Sequence, residues 1–354
     1  MALGTAVAGY FDYVSGQRRG LGAAAVRTAL RALAAPYYLG CVFRRALYDY
    51  GLLLCRELDA RVISVGNITA GGTGKTPMVV WLGRWLRSRG VRFAVLSRGY
   101  KAGPETTNDE AIVLRRHLPD VPHLVGKNRF ASGLRAIRDH GAECLILDDG
   151  FQHLAVGRDL DIVLLDALMP FGYGHVLPRG LLREPLRALQ RADVVVLTRC
   201  DVAPRERVRE LRRTVRELAG FVPVAQAFHR PVRFHDHATG QAQPLEWARG
   251  KRLFAFSALG NPLAFPATLS RLGAEVVHHE AFRDHHWYDE DDLRAIAAAA
   301  RQRGAEAVVT TEKDAVKIEA FPAGCPPAFF LEVEFAIAEG EEHLLDPLEE
   351  LLGR

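Results

Sequence analysis

From Arg61 onward, short unbroken apolar runs alternate with stretches whose apolar residues recur at helical spacing. The runs are Val62–Val65, Phe93–Leu96, Leu145–Leu147, Ile162–Leu165 and Val194–Leu197. They are rich in Val, Ile and Leu, as strands covered on both faces are. Between several of them lie helical patterns, such as Met78 to Arg89 ending at Gly90, and Phe130 to Asp139 ending before Gly141. This alternation predicts an α/β fold with a mainly parallel sheet. The pattern changes from Val222 to Gly250, where Pro, His and Gly interrupt short β-like pieces at Val222–Phe228 and Val232–Phe234. That stretch reads as a β linker with hairpin character. A second, smaller α/β unit follows, with strands at Leu253–Phe256, Glu275–His278, Ala307–Thr310 and Phe329–Val333. Its helices are expected near Pro262–Leu272 and Asp291–Arg303. The expected division is an N-terminal arm over 1–60, a first α/β domain over 61–221, the linker over 222–250 and the smaller domain over 251–354.

The arm follows a different pattern. Leu39, Phe43, Leu47, Tyr50 and Leu54 recur at helical spacing and give one face an apolar, aromatic character. The longest charge-free run, Ala32 to Phe43, is 12 residues, too short to span a bilayer, which needs about 20. No signal peptide is expected, because no apolar run follows a basic start and ends in small residues. Residues 13–48 carry Arg18, Arg19, Arg27, Arg31, Arg44 and Arg45 and no acid. Two readings follow: a basic amphipathic arm lying on an anionic membrane surface, or helices packed on the first domain with solvated arginines.

The chain has 354 residues, 49% hydrophobic and 25% charged, with a net charge of +4. That excludes disorder as the main state and provides for a sizeable core. Since residues 13–48 alone hold +6, the rest of the chain sums to 4 − 6 = −2, which leaves little footing for a nucleic-acid partner. The five cysteines are scattered with no C-x-x-C pair, so neither a disulfide framework nor a zinc site is expected.

The chemistry is concentrated where the first apolar run ends. Strand Arg61-Val-Ile-Ser-Val65 leads into Gly66-Asn-Ile-Thr-Ala-Gly-Gly-Thr-Gly-Lys-Thr-Pro77, and a helix follows. Strand, glycine-rich loop and helix form the context of a phosphate loop. Thr69, Ala70, Gly71, Gly72, Thr73, Gly74, Lys75 and Thr76 are therefore assigned to nucleotide binding. The glycines let backbone N–H groups wrap phosphates, Lys75 reaches β/γ oxygens, and the Thr76 hydroxyl suits Mg²⁺. Pro77 fits the first turn of a helix whose positive dipole end meets the anion. The loop departs from the usual pattern in having Thr69 at the first glycine position. Cys144-Leu-Ile-Leu-Asp148-Asp149, an apolar strand ending in two carboxylates, reads as the metal-binding partner segment. Asp166 competes more weakly, because strand-end acids are also common caps.

Seven motifs occur in an order that closely resembles the tetraacyldisaccharide 4′-kinase family of lipid A synthesis. Five are Gly66–Pro77, Ser97-Arg-Gly-Tyr100, Asn108-Asp-Glu110, Asp148-Asp-Gly-Phe-Gln-His153 and Leu177-Pro-Arg-Gly-Leu-Leu-Arg-Glu-Pro185; the last two are Phe282-Arg-Asp-His285 and Thr311-Glu-Lys-Asp314. The resemblance implies two α/β/α domains joined by a short β linker. It also implies transfer of the ATP γ-phosphate to the 4′-hydroxyl of an acylated glucosamine disaccharide 1-phosphate at the cytoplasmic face of the inner membrane. It makes Asp109 the base, although Asn108 and Ala111 flank the Asp-Glu pair where the family usually has Gly and Pro. It pairs that base with His285 from the second domain, rather than His286. A sugar hydroxyl is a poor nucleophile, so a carboxylate must accept its proton as the P–O bond forms. Domain closure over ATP would exclude water. His153 joins Asp148 and Asp149 on the metal and phosphate side, and Arg183 and Glu184 lie in a Gly/Pro-rich loop suited to the sugar or its phosphate. Thr311–Asp314 has a superficial likeness to base-reading motifs, and spacing assigns it no role.

Two other readings compete. A partitioning-type P-loop ATPase also carries Gly-Gly-x-Gly-Lys-Thr and binds membranes, but has a lysine where this chain has Ala70 and needs no second domain with Asp284-His285. A metal phosphoesterase rests on Asp284-His-His286 alone. ATP and Mg²⁺ are the expected cofactors, with no obligate protein partner evident.

Overall fold

The computed structural model describes residues 10–99, 109–284 and 286–353, and at Asp109 the backbone only. The described chain forms two units that are not contiguous in sequence. One comprises residues 1–102, 118–228 and 337–354; the other comprises 103–117 and 229–336.

In the first unit the strands are β1 (Arg61–Asn67), β2 (Phe93–Ser97), β3 (His123–Val125), β4 (Cys144–Asp148), β5 (Leu160–Asp166), β6 (Val194–Thr198) and the start of β7 (Val224–Asp236). Their order is β7-β6-β5-β1-β4-β2-β3, and all these pairings are parallel. Strands β2, β4, β5 and β6 are buried at every position, which explains their continuous apolar character. The helices Lys75–Ser88 and Arg129–His140 stand where periodicity puts them. Asn128 caps the second through its side chain, and Gly141 closes it with a left-handed φ of 60°. A further helix, Arg205–Ala219, buries Val208, Leu211 and Val215 against the unit's core.

β1 occupies the centre, flanked by β4 and β5, and Val65 stands opposite Asp148 in register. The phosphate-loop strand and the strand ending in two carboxylates are thus neighbours with aligned carboxyl ends, where parallel α/β sheets bind ligands. The C-terminal helix Glu342–Leu351 returns to this unit, where Glu349 pairs with Arg89 at the end of Lys75–Ser88.

The second unit has the order β10-β9-β11-β12-β7, built from β9 (Arg252–Ser257), β10 (Glu275–Ala281), β11 (Ala307–Thr311), β12 (Ala328–Glu339) and the end of β7. β10, β9, β11 and β12 run parallel. Helices Ala264–Arg271 and Glu290–Gln302 lie in this unit, as does Asp109–His117, which is inserted from the first half of the chain. The stretch read as a linker is one 13-residue strand, β7, which turns back into β8 (Ala242–Gln243) as an antiparallel hairpin. The Asp236 carboxylate accepts from the Ala238 and Thr239 amides at that turn, and Gly240 supplies a left-handed φ of 70°.

Residues 21–49 form one helix, Leu21–Asp49, with Pro36 inside it and only Ala23 and Ala34 buried. Leu33, Leu39, Val42 and Phe43 are exposed. Among the described residues no helix is long and apolar enough to cross a membrane.

Candidate active site

The loop from Ile68 to Gly74 leaves the end of β1 and enters the helix Lys75–Ser88. Left-handed backbone is needed at two places, and both are glycines: Gly71 at φ 119° and Gly74 at φ 91°. Thr69 stands where a first glycine is usual and needs none. It forms an antiparallel bridge with Leu182, while the Ala70 amide donates to the Leu181 carbonyl at 2.7 Å. That pairing is extended backbone, which suits a β-branched residue.

The loop is held from beneath by side chains that sequence patterning does not single out. The Asn67 amide donates to the Thr73 hydroxyl at 3.0 Å and to the Gly71 carbonyl at 3.4 Å. Thr198, ending β6, donates to the Thr73 carbonyl at 2.9 Å. Arg199, at a left-handed φ of 57°, donates to the Gly72 carbonyl at 3.0 Å and to Asp166 at 2.5 Å. Asp166 also accepts from the Leu168 amide at 3.0 Å, so it braces the loop and caps a turn. Loop carbonyls are thereby drawn toward the sheet, which leaves amides free to face a phosphate.

Glycine at 66 sets the next feature. A Cβ there would stand 2.5 Å from the Phe151 Cβ and 2.8 Å from its amide nitrogen. Only a bare Cα lets the Asp149–Phe151 turn cross the end of β1 so closely. At that turn Asp149 adopts a left-handed φ of 56°, a conformation seldom held by a non-glycine residue. Its carboxylate is gripped bidentately by Arg183, at 2.7 and 2.8 Å, and stands 3.5 Å from the Lys75 ammonium. Burial alone would raise the Asp149 pKa, but these two cations hold it well below the usual carboxylate range. Arg183 also donates to the Asn67 side-chain oxygen at 3.2 Å. Asp148 is buried at the end of β4, where the buried Arg129 donates to its carbonyl at 3.4 Å.

Of the other residues singled out by sequence, His153 lies just beyond this turn. Burial and the surrounding Arg129, Arg44, Arg158 and Arg98 press its pKa down to about 4. Glu184 is buried beside Arg183 and accepts from Arg191 at 2.6 Å. Thr76 occupies the first turn of the helix. Asp109 begins the helix Asp109–His117 in the second unit; its side chain lies outside the described residues, as do Tyr100, Asn108 and all of His285. The neighbours of His285 are described: Asp284 accepts from Lys313 at 3.2 Å, and His286 bonds Asp292 at 2.6 Å.

Residues of the N-terminal arm are bonded to the loop that carries Arg183 and to the turn that follows Asp149. Tyr37 donates to the Arg183 carbonyl at 2.9 Å, and Arg44 donates to the Gln152 carbonyl at 3.0 Å. Tyr10 donates to the Pro178 carbonyl at 2.9 Å, and the buried Arg179 donates to the Val14 carbonyl at 3.1 Å.

Comparison with known proteins agrees with this arrangement. Residues 26–352 match the family model described as tetraacyldisaccharide-1-P 4′-kinase. A tetraacyldisaccharide 4′-kinase of Anaeromyxobacter sp. (strain Fw109-5) is 41% identical, over 96% of this chain and 95% of the relative. One from Syntrophus aciditrophicus (strain SB) is also 41% identical, over 87% and 89%. Among solved structures, LpxK from Aquifex aeolicus in complex with ATP superposes with a TM-score of 0.69 at 29% identity, covering 92% of this chain and 99% of that one. A phosphate loop on the central strand, a paired carboxylate beside it and matches spanning nearly the whole chain lead to one conclusion: this chain belongs to the tetraacyldisaccharide-1-P 4′-kinase family.

Proposed function

We propose that this chain transfers the γ-phosphate of ATP to the 4′-hydroxyl of an acylated glucosamine disaccharide 1-phosphate at the cytoplasmic face of the inner membrane. The observation that carries the reading is the Lys75–Asp149–Arg183 arrangement at the mouth of the phosphate loop. Two cations gathered on one ionised carboxylate are placed where an incoming phosphate can draw on their charge, and the carboxylate is kept ionised for a cation carried with the nucleotide. In this reading the backbone amides from Gly71 to Thr76 receive the phosphates, while Thr69 and Ala70 fix the start of the loop against Leu181 and Leu182. Lys75 follows the charge that develops on the transferred group.

Thr76, Asp148 and Asp149 are hard oxygen donors at adjacent ends of the helix and β4, a donor set that fits Mg²⁺. That ion takes one or two carboxylates plus substrate phosphates and keeps several waters. When bound it would neutralise phosphate charge. Asp109 would accept the proton of the sugar hydroxyl and His285 would orient it. Arg183, Glu184 and His153 would meet the lipid head group or its phosphate. The exposed apolar side chains of Leu21–Asp49, interleaved with arginines and with no acid in the helix before Asp49, support a peripheral seat on an anionic membrane.

The test is direct. The full chain, ATP, Mg²⁺ and the acylated disaccharide 1-phosphate in mixed micelles should yield a lipid heavier by one phosphate, placed at the 4′ position by fragmentation in mass spectrometry. ATP hydrolysis without lipid phosphorylation would overturn the reading and restore the membrane-bound switch ATPase.

A further inference from the structure

The Thr311-Glu-Lys-Asp314 segment has no part in the scheme above, yet each of its four side chains is bonded to the protein. It lies at the end of β11. Thr311 caps the one-turn helix Glu312–Ala315 and donates its hydroxyl to Asp314 at 2.7 Å. Asp314 is fully buried; it also accepts from the Ala258 amide at 3.0 Å and pairs with Lys317 at 2.8 Å. The Lys317 ammonium, its side chain fully buried, donates on to the His286 carbonyl at 3.1 Å. Asp314 thus joins the ends of β9 and β11 and, through Lys317, the backbone immediately after His285.

The two residues between Thr311 and Asp314 reach in different directions. Glu312 accepts from His117 at 2.9 Å and pairs with Arg116 at 3.3 Å. Those two residues lie in the last turn of Asp109–His117, whose first residue is Asp109. The helix is a rod of about 12 Å at 1.5 Å per residue, so anchoring its last turn restrains its first. Lys313 pairs with Asp284 at 3.2 Å, the residue immediately before His285. Three successive side chains thus connect one rigid strand end to the segment bearing Asp109 and to both chain neighbours of His285. Glu312 is 7% exposed. A carboxylate taken so far from water carries a large desolvation cost unless its partners are fixed, so the contact favours one helix position over others.

We infer that Glu312, Lys313 and Asp314 are positioning residues that set Asp109 and His285 relative to each other, with Glu312 acting through the Asp109 helix and Lys313 through Asp284. The inference rests on the proposed roles of Asp109 and His285, and a set of double-mutant cycles separates the two. In steady-state assays of the full chain with ATP and the acylated disaccharide 1-phosphate, Glu312→Gln and Lys313→Met should each lower kcat by about 10- to 100-fold, the cost of a misplaced reacting group. The KM for ATP should stay within about twofold, as expected when only the chemical step is affected. In an Asp109→Asn background, Glu312→Gln should cost less than about twofold further, because a positioned group that is gone cannot be mispositioned. Lys313→Met should behave likewise in a His285→Ala background, and Lys313→Arg should recover most of the lost turnover. Lys313 is partly exposed, so its variants keep the test open should Glu312→Gln fail to fold. Losses that multiply in full across the cycles, or wild-type kcat in both single variants, would overturn the positioning role. Wild-type turnover in Asp109→Asn and His285→Ala would instead overturn the base and partner assignments on which it rests.

Discussion

Asp149 and Asp314 are each gripped by a cation and hydrogen-bonded at a strand end, yet they are set up for opposite ends. Asp314 and its partner Lys317 are sealed from solvent, and every contact they make is to the protein. Asp149 keeps 31% of its side chain open, beside a lysine that is 13% open and an arginine that is 26% open. Two cations on a partly open carboxylate form a charge balance that an incoming phosphate can enter. One cation on a closed carboxylate forms a joint. Burial separates ligand-ready charge from structural charge, and the residue types alone do not.

The comparison is most strongly tested at Lys75. Lys75→Ala should abolish phosphoryl transfer, a loss of at least about 1,000-fold in kcat, while the thermal midpoint falls by no more than a few degrees. A wild-type rate would show that the open cluster is not the nucleotide's. Asp314→Ala should do the reverse. By stranding the buried Lys317 ammonium it should cost about 3–5 kcal/mol of stability in urea titration, and ATP affinity should change little in conditions where the protein remains folded. Arg183→Lys keeps the charge and removes the two-pronged contact with Asp149. A loss of about tenfold in kcat/KM is expected, equivalent to one hydrogen bond to a charged group.

A further expected effect concerns pH. Burial and four nearby arginines hold His153 at about 4 instead of 6.5. Between those values the unfolded chain binds the proton and the folded chain does not. This contribution to stability is therefore intact above about pH 6.5 and lost as pH falls through about 4. His153→Gln should flatten that part of a stability-versus-pH curve, and an unchanged slope would remove His153 from its basic surroundings.

Much of this was legible in the chain itself. Strands β1, β2, β4, β5 and β6 of the first unit coincide with continuous apolar runs because a parallel sheet covered on both faces tolerates little else; β3, which is short and not buried, was not legible. The phosphate loop was legible because its demands are local: left-handed backbone at Gly71 and Gly74, a cation at 75, a hydroxyl at 76. Asn67, Thr198 and Arg199, which draw the loop's carbonyls inward, were not, since they come from the ends of two strands, β1 and β6, that are far apart in the chain and carry no shared pattern. Nor were Arg205–Ala219 and Glu342–Leu351 marked in advance, although both are amphipathic helices in the finished unit.

By itself, then, the sequence determined the α/β class, the phosphate loop, the motif order of a lipid sugar kinase and an arm both cationic and apolar. These follow from local backbone chemistry and from periodicities that each segment carries alone. Tertiary structure decided that residues 109–117 belong with the second unit, that residue 66 must be glycine because Phe151 crosses it, and that Arg183 finds Asp149. It also decided that Glu312 and Lys313 reach segments 195 and 29 residues away. Such contacts depend on which strand ends are brought side by side, and a linear pattern holds no record of that until the sheet has formed.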